Sequence, residues 1–290
     1  MKSSILKPMA ALLLAVAGLS GAQAASSWGF TTGGTETGAG AFGNARSYTA
    51  STGSDTVQVT AWSNTKNSVT AGNAYIESAY LGSYTGGLGI TNRDGALGAG
   101  DTNEGTIANT TSPGHSMDNN TRFDSMLFDF GAGKSAKLNT LTVGWWQTDS
   151  DVTVLAYTGS GTPLFTTANQ GYASLLSSGW SVVKGTAGTT GTADYSNAAG
   201  GTAQNSSVVA NFKPLTVNDL NVSARFWLVG ALNTLVQSLP SGATVDGGND
   251  YVKIAAVSAT YTKMPEPSSL ALVGSAMLLG IVGMGRRRKN

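Results

Sequence analysis

Three short stretches concentrate the oxygen donors of this chain. They are TDSD, with Asp149 and Asp151; GDTNEG, with Asp101, Asn103 and Glu104; and DGGND, with Asp246, Asn249 and Asp250. Carboxylates and amide carbonyls at such spacing are hard ligands, and a calcium ion takes six to eight of them. Asp149 and Asp151 are the residues expected to hold one. None of the three stretches has the twelve-residue order of an EF-hand. The same residue types also make Asx turns between strands, so turn chemistry is the other reading. No cofactor is expected, calcium being the one candidate.

Little else in the chain could do chemistry. His115 is the only histidine. Any Ser-His-Asp triad would have to use it, and Ser116 and Asp118 lie too close in sequence to give the usual geometry. His115 is expected to be a structural loop residue. There is no HExxH and no cysteine, which excludes the usual zinc sites, disulfides and an N-terminal lipoprotein anchor. Of the six tryptophans, Trp28, Trp62, Trp145, Trp146, Trp180 and Trp227, most are expected to pack in the core, although on loops they could form a sugar-stacking platform. Trp145 and Trp146 sit on opposite faces if their segment is a strand, so one can be core and the other exposed.

The elements that must position these residues read as strands. β-branched and aromatic runs occupy 55–63, 124–130, 138–146, 151–158, 180–185, 206–212, 224–232 and 251–262, separated by Gly/Ser/Thr/Asn clusters. In DTVQVTAWS, Val57, Val59 and Ala61 alternate with Thr56, Gln58 and Thr60; in DVTVLAYT, Val152, Val154 and Ala156 share a face. That period of two marks half-buried antiparallel strands. About eight strands in one domain predict an all-β fold, a single antiparallel β-sandwich of jelly-roll type. Residues 81–121 and 186–204 read as long Gly/Thr/Asn-rich loops, and GYASLLSSG (171–179) as at most a short helical turn. Glycine, 39 of 290 residues, disfavours helices throughout.

Both ends differ from this pattern. Lys2 and Lys7 precede the apolar run MAALLLAVAGL, and AQA follows it, with Ala22 and Ala24 as the small residues of a cleavage site. Residues 1–24 are therefore expected to be a secretory signal peptide, with Ala25 as the mature start. The run is shorter than the roughly 20 residues of a membrane span. At the other end, Ser268 to Gly285 carries no charge, and Arg286, Arg287, Arg288 and Lys289 follow at once. A helix of that length is about 27 Å long, close to the ~30 Å hydrocarbon core. The cations would stop it on the cytoplasmic side. The two ends hold six of the 17 cations and one of the 16 anions. The segment between them thus carries 11 and 15, a net charge of −4 with no basic patch. Nucleic acid is not an expected partner.

The last 27 residues, MPEPSSLALVGSAMLLGIVGMGRRRKN, resemble the PEP-CTERM sorting signal of Gram-negative envelope proteins. The likeness lies in Pro265-Glu266-Pro267, then an apolar Gly-rich span, then an Arg-rich terminus. It implies a partner, exosortase, a membrane transpeptidase with a cysteine nucleophile that cleaves near the motif. Two prolines fix φ and remove two backbone donors, so the motif stays extended and accessible at the membrane surface. A second likeness to exosortase-dependent surface proteins covers His115, Asp118 and Asn119, the Asp129-Phe130-Gly131 run, Trp145 and Trp146, the stretch from Asp149 to Gly159, and the late FWLVGAL and GNDYVKIAAVS segments. It implies no activity.

The domain organisation expected is signal peptide 1–24, β-sandwich core 25–263 and sorting signal 264–290, with the transmembrane helix at 268–285 and the basic tail at 286–289. The function expected is that of a non-enzymatic cell-surface or extracellular-matrix protein. It would be anchored transiently by its C-terminal helix and associated with exopolysaccharide. A secreted carbohydrate-binding module is the alternative.

Overall fold

Alternating apolar residues need a second layer to cover them, and the structure supplies it as a second sheet. The computed structural model describes residues 25–67, 73–94, 107, 113–166, 168–185, 194–195, 213–237 and 249–263. The signal peptide, the sorting motif Pro265-Glu266-Pro267, the apolar run 268–285 and the basic tail Arg286, Arg287, Arg288 and Lys289 lie outside them. Among the described residues no helix is long and apolar enough to cross a membrane.

One sheet contains β1 (Ala25–Gly29), β6 (Tyr80–Tyr84), β7 (Gly87–Thr91), β8 (Met117–Asp118), β10 (Lys134–Thr148), β14 (Lys213–Thr216) and β16 (Asp250–Lys263). The other contains β2 (Thr35–Thr37), β3 (Ala45–Thr49), β4 (Thr56–Lys66), β5 (Tyr75–Ser78), β9 (Asp124–Asp129), β11 (Val152–Tyr157), β12 (Trp180–Val182), β13 (Asp194–Tyr195) and β15 (Phe226–Ala231). Every pairing between named strands is antiparallel. The expected all-β class with antiparallel sheets is therefore observed.

β16 is the axis of its sheet. One edge pairs with β10 from Asp250↔Thr148 to Lys263↔Lys134. The other edge meets three strands in succession: β8 at Tyr251 and Val252, β7 at Ile254, and β1 from Ala256 to Thr260. The second sheet runs β12-β11-β15-β9-β4-β3-β2. The inner faces of both meet in one core. Val57, Val59 and Ala61 of β4 and Val152, Val154 and Ala156 of β11 join Leu141 and Val143 of β10 and Val252 and Ile254 of β16. Both alternations read from the sequence are thus inward faces.

The second sheet is covered on its outer face too. Two 3-10 turns, Tyr172–Ser174 and Leu176–Ser178, lie between β11 and β12. They help bring Phe165, Tyr172, Leu175 and Trp180 over Leu155, Leu127 and Leu228. This is why β11 is buried on both sides.

Two expectations are corrected. Residues 81–121 are not one long loop, since β6, β7 and β8 lie within or overlap them; β13 lies within 186–204. Glycine disguises β7. A Cβ on Gly89 would stand 1.9 Å from the His115 carbonyl oxygen, and one on Gly87 2.2 Å from that of Ile254. Gly89 permits close backbone approach rather than a turn, and Gly87, with φ of +126° at the end of the β6–β7 turn, serves both. The candidate strand at 206–212 falls outside the described residues. The tryptophans pack inside, as expected for most of them, and only the exposed member of the Trp145-Trp146 pair is not found. Trp145 and Trp146 do face opposite ways, but both are buried, Trp146 in the core and Trp145 against Lys253. No tryptophan is exposed: five are buried and Trp62 is half-buried against Phe165.

Candidate functional site

Strand ends gather polar residues at one pole of the two sheets. The ends of β4, β7, β10 and β15 meet there with the starts of β9, β11 and β16, and β8 lies alongside. Most of the buried polar side chains sit at or near this pole. They include the carboxyls of Asp94, Asp118, Asp124, Asp149, Asp151 and Asp250 and the cations Arg122 and Lys253. Among the described residues, six buried acids thus stand with two buried cations, Arg122 and Lys253, and the buried His115. Burying a charge without compensation is costly, so this pole must be neutralised by protons, cations or dipoles.

Asp149, Asp151 and Asp250 form its centre. Each offers a carboxylate oxygen, and the three atoms lie within 4.8 Å of one another. Asp149 and Asp151 flank the crossing from β10 in one sheet to β11 in the other. Thr148, just before it, has φ of +64° and makes the bend. Asp149 also bridges in parallel to Asp250, the first residue of β16. Backbone N–H groups fix the carboxylates: Asp151 donates to Asp250 Oδ1 at 2.6 Å, and Ser150 to Asp149 Oδ1 at 2.7 Å. Asn119 clamps Asp250 from the other edge. Its amide Nδ2 donates to Asp250 Oδ2 at 2.6 Å, and its Oδ1 accepts the Asp250 N–H at 2.8 Å.

Burial pushes the Asp250 carboxyl up to about 8, and the neighbouring carboxylates of Asp149 and Asp151 add to that; the hydrogen bonds from Asp151 and Asn119 pull it down. Three buried acids so close cannot all carry charge unaided. Either Asp250 keeps a proton near neutral pH, or a hard divalent cation takes the proton's place. The two sequence-predicted calcium residues are therefore brought together. They are joined by Asp250 from DGGND, whose Asn249 donates instead to Asn120 Oδ1 at 2.9 Å and to the Tyr251 hydroxyl at 3.4 Å. Asp101, Asn103, Glu104 and Asp246 lie outside the described residues.

His115 lies buried in this region. Its Nε2 lies 2.9 Å from Lys253 Nζ, and its ring centroid lies 4.0 Å from that of Tyr84, the planes tilted by 49°. Lys253 also lies over Trp145, 4.5 Å from its centroid, and burial lowers the ammonium to about 8. Ser116 Oγ donates back to the Pro113 carbonyl rather than to His115. A separate buried pair joins Arg122 Nε to Asp94 Oδ2 at 2.5 Å, with Arg122 Nη1 donating to the Asn64 carbonyl. Neither Lys253 nor Arg122 stands out in the sequence as functional. The only available signal was a lone cation within an apolar strand, as in YVKIAAV.

Of the processing residues, Ala25 is the exposed first residue of β1, paired with Thr260. Ala22, Ala24, Pro265, Glu266, Pro267 and the basic tail lie outside the described residues. No family model, curated protein or solved structure matches the chain.

Proposed function

We propose that this is an exported, non-enzymatic protein of the cell surface or extracellular matrix, delivered by its removable C-terminal segment. One observation carries the reading: Pro265-Glu266-Pro267, an uncharged 18-residue run and Arg286 to Lys289 follow β16 within two residues of its end at Lys263. The signal peptide 1–24 takes the chain through the inner membrane. The helix 268–285 holds it there, and exosortase cleaves near the motif. The core is then released to a polysaccharide-rich surface.

The core in this reading is a jelly roll. Its support is the strand order β8-β16-β10-β14 opposite β9-β15-β11-β12, the two four-stranded sheets of a double Greek key. β1 to β7 and β13 are additions to it. Calcium at Asp149, Asp151 and Asp250 would neutralise the acidic pole and tie the two sheets together; it has no catalytic part.

The test is the intact mass of the protein recovered from its native host. A mass starting at Ala25 and ending near Pro265 to Pro267 is expected. A mass that retains Arg286 to Asn290 refutes processing. The second reading, a carbohydrate-binding module, is favoured by a surface at the opposite pole.

A further inference from the structure

Tyr157, at the end of β11, lines two clefts of about 240 Å³ each. Each is smaller than the ~300 Å³ lower bound of drug-sized pockets, a scale that suits a single sugar ring. The tyrosine ring is held before any ligand arrives. A Cβ on Gly159 would lie 2.7 Å from it and one on Gly179 3.0 Å away, so two glycines leave it room to lie over the chain. Gly179 has φ of +90°, which favours glycine on its own account. The ring packs at 5.3 Å against Trp180 and edge-on to Phe226 at 6.2 Å, and its hydroxyl donates to the Ser160 carbonyl at 3.1 Å. Such fixing lowers the ordering cost of binding.

The linings are alike in chemistry. The first cleft offers Ser160, Thr162, Gln170 and Ser178 beside the apolar Leu164, which is 61% exposed. The second offers Ser135, Thr158 and Ser223 beside Tyr157, while Phe226 beneath is buried with the Arg225 guanidinium over its ring. Short hydroxyls and amides next to aromatic faces match the hydroxyls and C–H faces of a pyranose. Lys134 and Arg225 also line the second cleft, but each is tied to a carboxylate: Lys134 Nζ to Asp55 at 3.2 Å, and Arg225 to both oxygens of Asp129 at 2.7 Å. The site therefore presents donors without net positive charge.

We propose that the clefts sharing Tyr157 bind a neutral pyranose oligosaccharide, with one sugar in each cleft. The inference rests on the polysaccharide-associated reading above and names its contact site. The full chain, purified in a detergent without a sugar head group, is titrated with cellotetraose, laminaritetraose, maltotetraose and mannotetraose, with tetragalacturonate as the anionic comparison. Saturable binding of a neutral tetramer is expected, in the range of about 0.01 to 1 mM. Tyr157→Ala should weaken it at least tenfold. Ser160→Trp, an exposed substitution that fills the first cleft, should do the same without changing the melting temperature, and it decides the matter if Tyr157→Ala misfolds. Absence of binding by every neutral tetramer to about 10 mM, tighter binding of tetragalacturonate, or indifference to Ser160→Trp overturns the site. A processed protein that binds no sugar refutes this site alone. One that binds sugar yet keeps Arg286 to Asn290 in its host refutes the sorting reading alone.

Discussion

Asp250 and Lys253 lie three positions apart on β16, and burial moves their titrations toward each other. The Asp250 carboxyl is raised from 3.8 to about 8. The native state then holds a proton that the unfolded chain has released, so stability falls as pH rises from about 4 to about 8. Lys253 is lowered from 10.5 to about 8. Between those values the unfolded chain holds the extra proton, so stability rises with pH there. Denaturant unfolding of the metal-free protein should show a minimum near pH 8. Asp250→Asn should remove the acid-side slope, although it costs about 1 kcal/mol overall through the hydrogen bond from Asn119. An unchanged slope in that variant would refute the assignment to Asp250. Calcium should act where the proton is lost, raising the melting temperature strongly at pH 8 and little at pH 5. Asp149→Asn and Asp151→Asn should blunt that response. A melting temperature at pH 8 indifferent to calcium removes the metal and leaves the proton as the neutralising charge.

At the scale of elements, the tight contacts of β7 are the sharpest point of the fold. Gly89→Ala would drive a methyl into the His115 carbonyl, which belongs to backbone that cannot rotate away as a side chain can. The expected cost is at least about 3 kcal/mol. Gly29→Ala, in β1 with nothing within 4 Å of the added methyl, should change stability by less than ~0.5 kcal/mol. Equal denaturation midpoints for the two variants would contradict the close approach. These glycines also explain what could be read in advance. β4, β9, β10, β11, β15 and β16 carry β-branched or aromatic residues in runs or alternation, which is the signature of burial in a sheet. β6 and β7 spell YLGSY and GLGIT, and there composition mimics a loop while packing demands glycine. The candidate site divides in the same way. Asp149 and Asp151 are neighbours in the chain and were legible together. Their union with Asp250, 99 residues beyond Asp151, depends on the register of β10 against β16, which no local pattern encodes. Tyr157 was legible as a strand residue but not as a platform, because Gly179, one of the glycines that free its ring, comes from the far side of the β11–β12 connection.

The ordering of the whole molecule follows from where its core begins and ends. Ala25 pairs with Thr260, so the expected mature start and the departure toward the membrane lie at one end of one sheet. β16 is 14 residues long, roughly 45 Å at about 3.3 Å per residue. The acidic pole at Asp250 therefore stands that far along the strand from Lys263. The Tyr157 clefts, which reach Lys134 opposite Lys263, lie at the near end. A tethered core would present the acidic pole outward and keep its clefts close to the anchor until cleavage. Two truncations test whether the tail is an address rather than part of the fold. Removal of residues 264–290 takes nothing from β16, so the melting temperature should stay within about 2 °C of the full chain, which for this size corresponds to about 1 kcal/mol or less, while membrane retention is lost. Removal of residues 256–290 takes the partners of β1 and half the pairing of β10, and opens the core around Val257 and Ala259. That chain should fail to give a cooperative transition. If the shorter truncation also abolishes the transition, the C-terminal segment belongs to the folded core, and the separation of address from cargo at Lys263 is wrong.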